Sequence, residues 1–224
     1  MKYSTPITAL FVDIGGVLLT DGWCHEFRKL AVKEFDLDSE EMEDRHSQVF
    51  ETFELGKLTM QEYMELVVFY KKRHFTPLQF QEFIFAQTKS DLTMIDLIRQ
   101  LKSKYGLKIF AVSNEARELN AYRIHKFKLN EFIDSFVSSC YVGLRKPDAD
   151  IFRLALNIAQ VPAKQIVYLE NTPMFVDIAE GLGIRGICHT NYNSTCKQLA
   201  SFGLEIISKN KASTQPALKT EHKL

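Results

Sequence analysis

Apolar, strand-like runs alternate with helical segments beyond Asp91, and this alternation constrains the fold more than any other feature of the sequence. Strands are predicted at residues 107–112, 135–138, 165–169 and 184–188. Helices are predicted between them, at residues 115–125, 148–159 and 173–182. A further helix, capped by Asp91 and ending near Gly106, is predicted just before the strand at 107–112. An earlier apolar run at 7–12 adds a first strand. Strands that alternate with helices form parallel sheets with right-handed crossovers. We therefore predict an α/β fold with a Rossmann-like, doubly wound parallel sheet of about five strands.

The segment from Trp23 to about Thr88 has a helical pattern throughout. Three of its helix starts carry the spacing of an N-cap and a third helical residue: Asp38 with Glu41, Thr59 with Glu62, and Thr76-Pro77 with Gln79. Aromatic and leucine side chains recur at helical spacing, which is typical of the core of a small bundle. We predict an all-helical insert at residues 21–88, flanked by the two parts of the sheet domain, 1–20 and 89–207. The polar, lysine-rich remainder, 208–224, is predicted to be disordered.

Charge and cysteine content narrow the function classes. The 28 basic residues balance the 28 acidic ones, so no global field favours nucleic acid or an anionic membrane, and no apolar run is long enough to span a bilayer. The four cysteines, at 24, 140, 188 and 196, form no C-x-x-C pair. This usage favours reduced thiols and a cytoplasmic protein over a disulfide framework or a zinc site.

Residues 181–186, GLGIRG, match the glycine pattern of dinucleotide-binding loops. That pattern needs a strand before the glycines and a helix after them, whereas the predicted helix comes first here and the strand second. We interpret these glycines as a helix end and a tight turn, and we do not expect a nicotinamide cofactor.

Polar residues follow the predicted strands at the places where a doubly wound sheet binds ligands. These are Asp13, Ser113-Asn114 and Glu170-Asn171, joined by Lys146 just before a helix. Ligands of such sheets collect beyond the carboxyl ends of the strands. A carboxylate, a hydroxyl, an ammonium group and a second acid at one edge would suit an anionic, tetrahedral substrate.

Four motifs carry a family resemblance. FVDIGGVL, AVSN, GLRKPDADIF and VYLENTPMFVDIAEGLG occur in this order over residues 7 to 190. They resemble the four motifs of the haloacid dehalogenase-like superfamily, and the helical insert is similar to the C1-type cap of its subfamily IA. The resemblance implies a Rossmann-like hydrolase with a helical cap.

The resemblance also implies a role for each matching residue. Asp13 would be the nucleophile and would form an aspartyl-phosphate intermediate. Mg²⁺ would be bound by Asp13, by the backbone carbonyl of Gly15, and by Glu170 with Asn171. Ser113 and Lys146 would bind the transferring group and take part in catalysis, and Lys146 would offset the repulsion between the carboxylates. The substrate, a small phosphorylated metabolite, would be bound by Ser113, Asn114, Lys146 and Gly16.

Two positions depart from the family pattern and leave three functions open. Phosphatases of the family carry a second aspartate where this chain has Gly15, and a second acid where it has Asn171. The first function is a Mg²⁺-dependent phosphatase in which a cap residue or a water transfers the proton. The second is a 2-haloacid dehalogenase, because a halide leaves without a proton. The third is a non-catalytic protein of the same fold that binds phosphate or another ligand. Polar or aromatic residues that could reach the pocket from the insert are Trp23, His25, Arg45, His46 and Lys57. The sequence gives no sign of the oligomeric state.

Overall fold

The fold is an α/β fold built on one five-stranded parallel sheet, and the computed structural model describes residues 5–206. In chain order the strands are β1 (Ala9–Val12), β2 (Lys108–Ser113), β3 (Ser135–Ser138), β4 (Ile166–Glu170) and β5 (Arg185–Cys188). Their order in the sheet is β3-β2-β1-β4-β5, and every neighbouring pair is parallel. The prediction of a doubly wound parallel sheet of about five strands is therefore confirmed.

Ten helices accompany the sheet in the described part of the chain. They are α1 (His25–Phe35), α2 (Ser39–Glu54), α3 (Met60–Val67), α4 (Pro77–Ala86), α5 (Leu92–Tyr105), α6 (Arg117–Lys126), α7 (Ser139–Val142), α8 (Asp150–Ala159), α9 (Pro173–Gly181) and α10 (Tyr192–Ser201). Helices α1 to α4 lie between β1 and β2, as expected for the helical insert.

Strand β1 is central because its side chains are apolar on both faces. Leu10 and Val12 belong to the core on one face of the sheet, with residues of α5 and α10. Ala9 and Phe11 belong to the core on the other face, with residues of α8 and α9. A strand covered on both faces needs an unbroken apolar run rather than an alternating one. The order of the strands then places the end of β1 at the centre of the carboxyl edge.

The helical insert has its own apolar core. Its buried side chains come mainly from residues 31–84, with Ala116 and Leu119 of the sheet region packed against them. The three predicted helix starts are confirmed: Asp38, Thr59 and Thr76 each accept a hydrogen bond from the backbone N–H three residues on. The division into a sheet domain and a cap, with boundaries at 20/21 and 88/89, stays a prediction.

Most predicted elements begin or end within two residues of the observed ones, and two helices were missed. Helix α7 is a single turn, and the sequence of α10 is largely polar and lacks the apolar periodicity used for prediction. The start of α10 did carry a signal, because the side chain of Asn191 accepts a hydrogen bond from the backbone N–H of Ser194. The predicted disordered tail, 208–224, lies outside the described residues.

The glycine-rich segment at residues 181–186 lies between a helix and a strand, in the order that the sequence predicts. Helix α9 ends at Gly181, Gly183 has a positive φ of 83°, and β5 follows, so the order is helix then strand. All four cysteines are free thiols, although a cytoplasmic location stays a prediction. Within residues 5–206, none of the helices combines the length and the apolarity needed to cross a bilayer.

Candidate active site

The carboxyl edge of the sheet opens into a cavity of about 570 Å³ that the helical insert covers on the opposite side. Asp13 follows β1 directly, and Ser113 is the last residue of β2. The predicted site residues that line the cavity are Asp13, Gly15, Ser113, Asn114, Lys146 and Asn171. Glu170, the last residue of β4, lies directly behind them and is fully buried. The parallel strands thus bring together residues that lie more than 150 positions apart in the sequence.

Lys146 is the buried centre of the site. Its Nζ lies 3.1 Å from Asp13 Oδ2 and 2.6 Å from Glu170 Oε2, and only 1% of its side chain is exposed. It also lies 3.2 Å from the hydroxyl of Tyr168, which itself donates to Glu170 Oε2. A buried ammonium group that bridges two carboxylates keeps both of them in place, because their mutual repulsion is offset at short range.

Burial and the neighbouring charges shift the pKa values of Asp13 and of Lys146. Burial raises the pKa of Asp13 to about 7, with Lys146 opposing that shift and Glu170 adding to it. Burial alone would lower the pKa of Lys146, but Asp13 and Glu170 outweigh burial and hold that pKa above its ordinary value. Lys146 is therefore a permanent positive charge next to Asp13, as a site for an anionic substrate requires.

Ser113 and Asn114 form the part of the cavity wall that lies at the end of β2. The side chain of Asn114 accepts from the backbone N–H of Lys146 (2.8 Å) and donates to its carbonyl (2.9 Å), so it clamps the Lys146 loop to the end of β2. The Ser113 hydroxyl lies 3.3 Å from Glu115 Oε1, and hydrogen bonding from Ser113 also lowers the pKa of Asp13. The hydroxyl can therefore turn from Glu115 towards Asp13 or a ligand in the cavity.

Oxygen donors for a metal ion are present, but those of Glu170 already accept hydrogen bonds within the protein. Within residues 5–206 there is no cluster of three or more histidine, cysteine or acidic side chains suited to a metal. The donors that face the cavity are instead mixed: the Asp13 carboxylate, the backbone of Gly15 and the Asn171 amide. Carboxylate, carbonyl and amide oxygens suit a hard cation such as Mg²⁺. Glu170 already accepts from Lys146, from Tyr168 and from the backbone N–H of Thr172 (2.9 Å), so its role as a metal ligand stays a prediction.

Gly16 has a structural task at the turn after Asp13. Its φ is +71°, and a Cβ built on it would lie 2.1 Å from Asn171 Nδ2. Its backbone N–H donates to the carbonyl of Leu19 at 2.8 Å. Gly16 is absent from the cavity wall, so its predicted role in substrate binding stays a prediction without support from its contacts.

The wall formed by the helical insert is aromatic, and its charges are paired. It includes Trp23, Phe50 and Phe53, and Phe175 of α9 completes it. Arg28 makes two hydrogen bonds of 2.8 Å to Glu43. Arg145 contacts Glu51 and Glu54, each at 2.9 Å.

Of the five insert residues that were predicted to reach the pocket, Trp23 and His46 line it. The hydroxyl of Tyr63 connects them, 2.7 Å from Trp23 Nε1 and 2.8 Å from His46 Nδ1. Burial lowers the pKa of His46 to about 4, so His46 is neutral. The other three, His25, Arg45 and Lys57, do not line the cavity. His25 is 3.3 Å from Glu43, and Arg45 lies over the ring of Tyr70.

Sequence reasoning missed three residues that shape the site. Tyr168 shares a strand face with Glu170, and Glu115 follows Ser113-Asn114 directly, so both could have been found from their spacing. Asp21 lines the cavity as well, although it lies eight residues beyond Asp13. Its position depends on how residues 15–19 fold back, for which the sequence gave no clear signal.

Comparison with known proteins identifies the family to which the chain belongs. A family model described as "haloacid dehalogenase-like hydrolase" matches residues 7–182. The chain is 27% identical over 190 residues to a drimenol cyclase of Aspergillus calidoustus, covering 79% of this chain and 35% of that protein. It is 25% identical over 112 residues to a sesquiterpene phosphatase of Aspergillus oryzae, covering 50% and 56%. The chain thus matches only about a third to a half of the length of these relatives.

Among solved structures, a family enzyme from Bacteroides thetaiotaomicron superposes with a TM-score of 0.67. That structure is a complex with magnesium and inorganic phosphate. The two chains are 20% identical, and the match covers 82% of this chain and 94% of the other. At this identity the comparison concerns the fold, which the two proteins share.

Proposed function

The chain belongs to the haloacid dehalogenase-like hydrolases, and on that basis we propose that it is a Mg²⁺-dependent phosphatase of small phosphate monoesters. The observation that carries the proposal is the position of Asp13. Its carboxylate faces the cavity and is 3.1 Å from the buried ammonium group of Lys146. A carboxylate held beside a fixed positive charge in a cavity is suited to attack an anionic phosphoryl group.

The proposed reaction has two displacements at phosphorus. In the first, a carboxylate oxygen of Asp13 forms a bond to phosphorus, the bond from phosphorus to the ester oxygen breaks, and the alcohol leaves with a proton. In the second, water attacks the same phosphorus, the bond to Asp13 breaks, and phosphate and one proton are released. Lys146 and Ser113 would hold the phosphoryl oxygens through both displacements.

The charges around the cavity favour the binding of a divalent cation. The acids that line it are Asp13, Asp21, Glu43, Glu54 and Glu115, and the cations are Arg28, Arg145 and Lys146. Five carboxylates against three cations leave a formal balance of −2, which is unfavourable for a phosphate dianion. Mg²⁺, when bound, would neutralise the phosphoryl oxygens and the attacking carboxylate. Asp13, the carbonyl of Gly15 and Asn171 would hold it, with Glu170 behind them.

The cavity wall favours substrates whose alcohol is uncharged and largely apolar. Arg28 and Arg145 are already paired with acids, and His46 is neutral, so the described residues that form the cap side of the cavity offer no unpaired cation to a second anionic group. Trp23, Phe50 and Phe175 would instead contact an aromatic or aliphatic group. The sesquiterpene phosphatase among the relatives is, by its name, consistent with an apolar alcohol. The helical insert would thus act as the cap that selects the substrate.

Steady-state kinetics test the proposal. Purified chain would be assayed with benzyl phosphate, glucose 6-phosphate and a nucleoside diphosphate, with Mg²⁺ and with EDTA. We expect turnover only with Mg²⁺. We also expect kcat/KM for benzyl phosphate to exceed the other two by about tenfold or more, equivalent to about 1.4 kcal/mol. Asp13→Asn should reduce turnover to background, while Asp96→Asn, an exposed aspartate on α5, should leave it unchanged.

The same assay separates the other two functions. Halide release from 2-chloropropionate that persists in EDTA would identify a dehalogenase and contradict the proposal. Binding of tungstate without turnover of any ester would identify a phosphate-binding protein. An Asp13→Asn variant that keeps the wild-type rate would show that Asp13 is not the nucleophile.

A further inference from the structure

Three hydrogen-bonded side chains, Trp23, Tyr63 and His46, lie on the side of the cavity that the helical insert forms. Trp23 Nε1 donates to the hydroxyl of Tyr63 at 2.7 Å, and the same hydroxyl lies 2.8 Å from His46 Nδ1. Tyr63 is fully buried, whereas Trp23 and His46 line the cavity. Within residues 5–206 the Tyr63 hydroxyl has no other hydrogen-bond partner. One buried hydroxyl thus connects two rings that a substrate can contact.

The proton of the Tyr63 hydroxyl determines which nitrogen of His46 carries hydrogen. The indole N–H of Trp23 can only donate, so the hydroxyl accepts from it. If His46 Nδ1 also donated, the hydroxyl proton would be buried without an acceptor, which is unfavourable. Burial raises the pKa of Tyr63 well above its ordinary value, so the hydroxyl keeps this proton. The hydroxyl therefore donates to Nδ1, and because His46 is neutral, its one ring hydrogen is on Nε2.

The Nε2–H group of His46 is accessible and has no partner in the described part of the chain. Nε2 makes no hydrogen bond within residues 5–206, and it is not one of the buried polar atoms there that lack a partner. The ring stacks on Phe50 with centroids 5.5 Å apart and meets the ring of Tyr63 edge-on at 5.9 Å. Because the ring is already held in place, its donor loses little conformational entropy on binding an acceptor.

We infer that His46 is a specificity-determining residue, whose Nε2–H donates to an uncharged oxygen in the alcohol part of the substrate. This inference rests on the proposed phosphatase function and specifies the substrate of the same site further. The charged or titratable groups that act on His46 are Arg28, Glu43 and His25, and Glu43 contacts both of the others. A carboxylate on the substrate would therefore remain without a counter-charge at this wall, whereas an ether, hydroxyl or carbonyl oxygen matches the neutral donor. The substrate is a phosphate ester of a largely apolar alcohol that carries one further oxygen.

Tyr63 and Trp23 act through His46 and are positioning residues. Tyr63 holds the hydrogen of His46 on Nε2, and Trp23 orients the Tyr63 hydroxyl by occupying one of its acceptor sites. Tyr63→Phe removes one oxygen atom and takes the hydrogen-bond donor away from Nδ1. The hydrogen of His46 can then occupy either nitrogen, so the donor towards the cavity is no longer fixed.

Nitrogen NMR tests the position of this hydrogen without any substrate. The chain would be labelled with ¹⁵N-histidine and measured at pH 7, and the ring signals of His46 would be assigned by their absence in His46→Phe. We expect Nε2 to be protonated and Nδ1 to be unprotonated in the wild-type chain, and a mixture of the two forms in Tyr63→Phe. A hydrogen on Nδ1 of the wild-type chain would overturn the inference, whether or not the chain is a phosphatase.

Esters that differ in one atom test the recognition itself. With Mg²⁺ present, n-octyl phosphate would be compared with esters in which an ether oxygen replaces one methylene group at successive positions. We expect one oxygen position to have a kcat/KM above the others by about 3- to 10-fold, as one hydrogen bond between uncharged groups provides. His46→Phe should lose this preference, and His46→Gln, which keeps an N–H donor, should retain part of it. His125→Phe, at an exposed histidine on α6, should show the wild-type preference.

The outcomes separate this inference from the proposed function. Turnover of the esters by the wild-type chain without a preferred oxygen position would overturn the inference and leave the phosphatase function standing. A preference that persists in His46→Phe would assign the recognition to another group. Circular dichroism would check the fold, and if His46→Phe does not fold, Tyr63→Phe replaces it and should weaken the preference. If the wild-type chain hydrolyses none of the esters, the proposed function fails, and the recognition by His46 fails with it.

Discussion

At the residue scale, the two glycines after Asp13 determine how closely other side chains can approach the nucleophile. The Cβ that Gly16 lacks would overlap Asn171, whose amide faces the cavity. The backbone at Gly16 also adopts a left-handed conformation with a φ of +71°, which residues other than glycine adopt rarely because of their Cβ. We therefore expect Gly16 to act on the proposed metal site only indirectly, through the space that it leaves open for Asn171.

Gly16→Ala tests this role, and Gly106→Ala is its matched control. Gly106 has a similar φ of +65°, but a Cβ there would meet nothing within 4 Å. Both variants should lose about 1–2 kcal/mol of unfolding free energy to backbone strain, measured by urea denaturation. Only Gly16→Ala should weaken Mg²⁺ binding in calorimetry, because the Asn171 side chain must move. Equal Mg²⁺ affinities in the two variants would contradict the proposed role of Asn171.

The site residues that could be predicted are those that follow strands. Asp13 and Ser113 come at the ends of β1 and β2, and parallel strands that pair in register end at one edge. Asp21 could not be found in this way, because its proximity to Gly15 depends on how residues 14–19 fold back through backbone hydrogen bonds. The contacts that occupy Glu170 depend on the packing around Lys146 and could not be predicted either.

At the element scale, helix α6 joins the helical insert to the sheet through the fully buried Arg123. Its guanidinium group donates to the carbonyl of Thr20 (2.9 Å) and lies 3.4 Å from the hydroxyl of Thr88. Thr20 and Thr88 stand at the two predicted boundaries between the sheet domain and the insert. The third contact of Arg123 is Glu115, at 2.7 Å, which lies next to the Ser113 hydroxyl. One side chain thus connects both predicted boundaries to the Ser113 side of the cavity.

Arg123→Met should be strongly destabilising, because it leaves the buried carboxylate of Glu115 without its ion-pair partner. We expect a loss of about 3–5 kcal/mol in unfolding free energy by urea denaturation. The double variant Arg123→Met/Glu115→Gln removes both buried charges and should recover part of the lost unfolding free energy. Arg153→Met is the control, since Arg153 forms an exposed ion pair with Asp150, and it should cost at most about 1 kcal/mol. A loss below about 1 kcal/mol in Arg123→Met would show that this connection is energetically unimportant.

The elements that could be predicted are those with local signals. Capping residues marked the starts of α2, α3 and α4, and Gly106 marked the end of α5 in a left-handed conformation. Helix α10 was missed because its polar residues obscure the periodicity, and only its N-cap residue Asn191 was available as a signal. The packing of the insert against the sheet depends on long-range contacts such as those of Arg123, which no local pattern encodes.

At the scale of the whole molecule, the cavity lies where the sheet and the helical insert meet, and each part contributes a different chemistry. The sheet supplies Asp13, Ser113 and Lys146, which are charged or polar and held by buried hydrogen bonds. The insert supplies aromatic walls whose nearby charges are paired. In the proposed reaction, the two parts enclose a phosphate ester with its phosphorus next to Asp13.

Direct detection of the phosphorylated residue tests this claim. The chain would be mixed with 4-nitrophenyl phosphate and Mg²⁺, quenched in acid during turnover, digested and mapped by mass spectrometry. We predict one added phosphoryl group, on Asp13, that is lost on treatment with hydroxylamine, as an acyl phosphate requires. Turnover without a phosphorylated peptide, or a phosphoryl group on any other residue, would contradict phosphoryl transfer to Asp13.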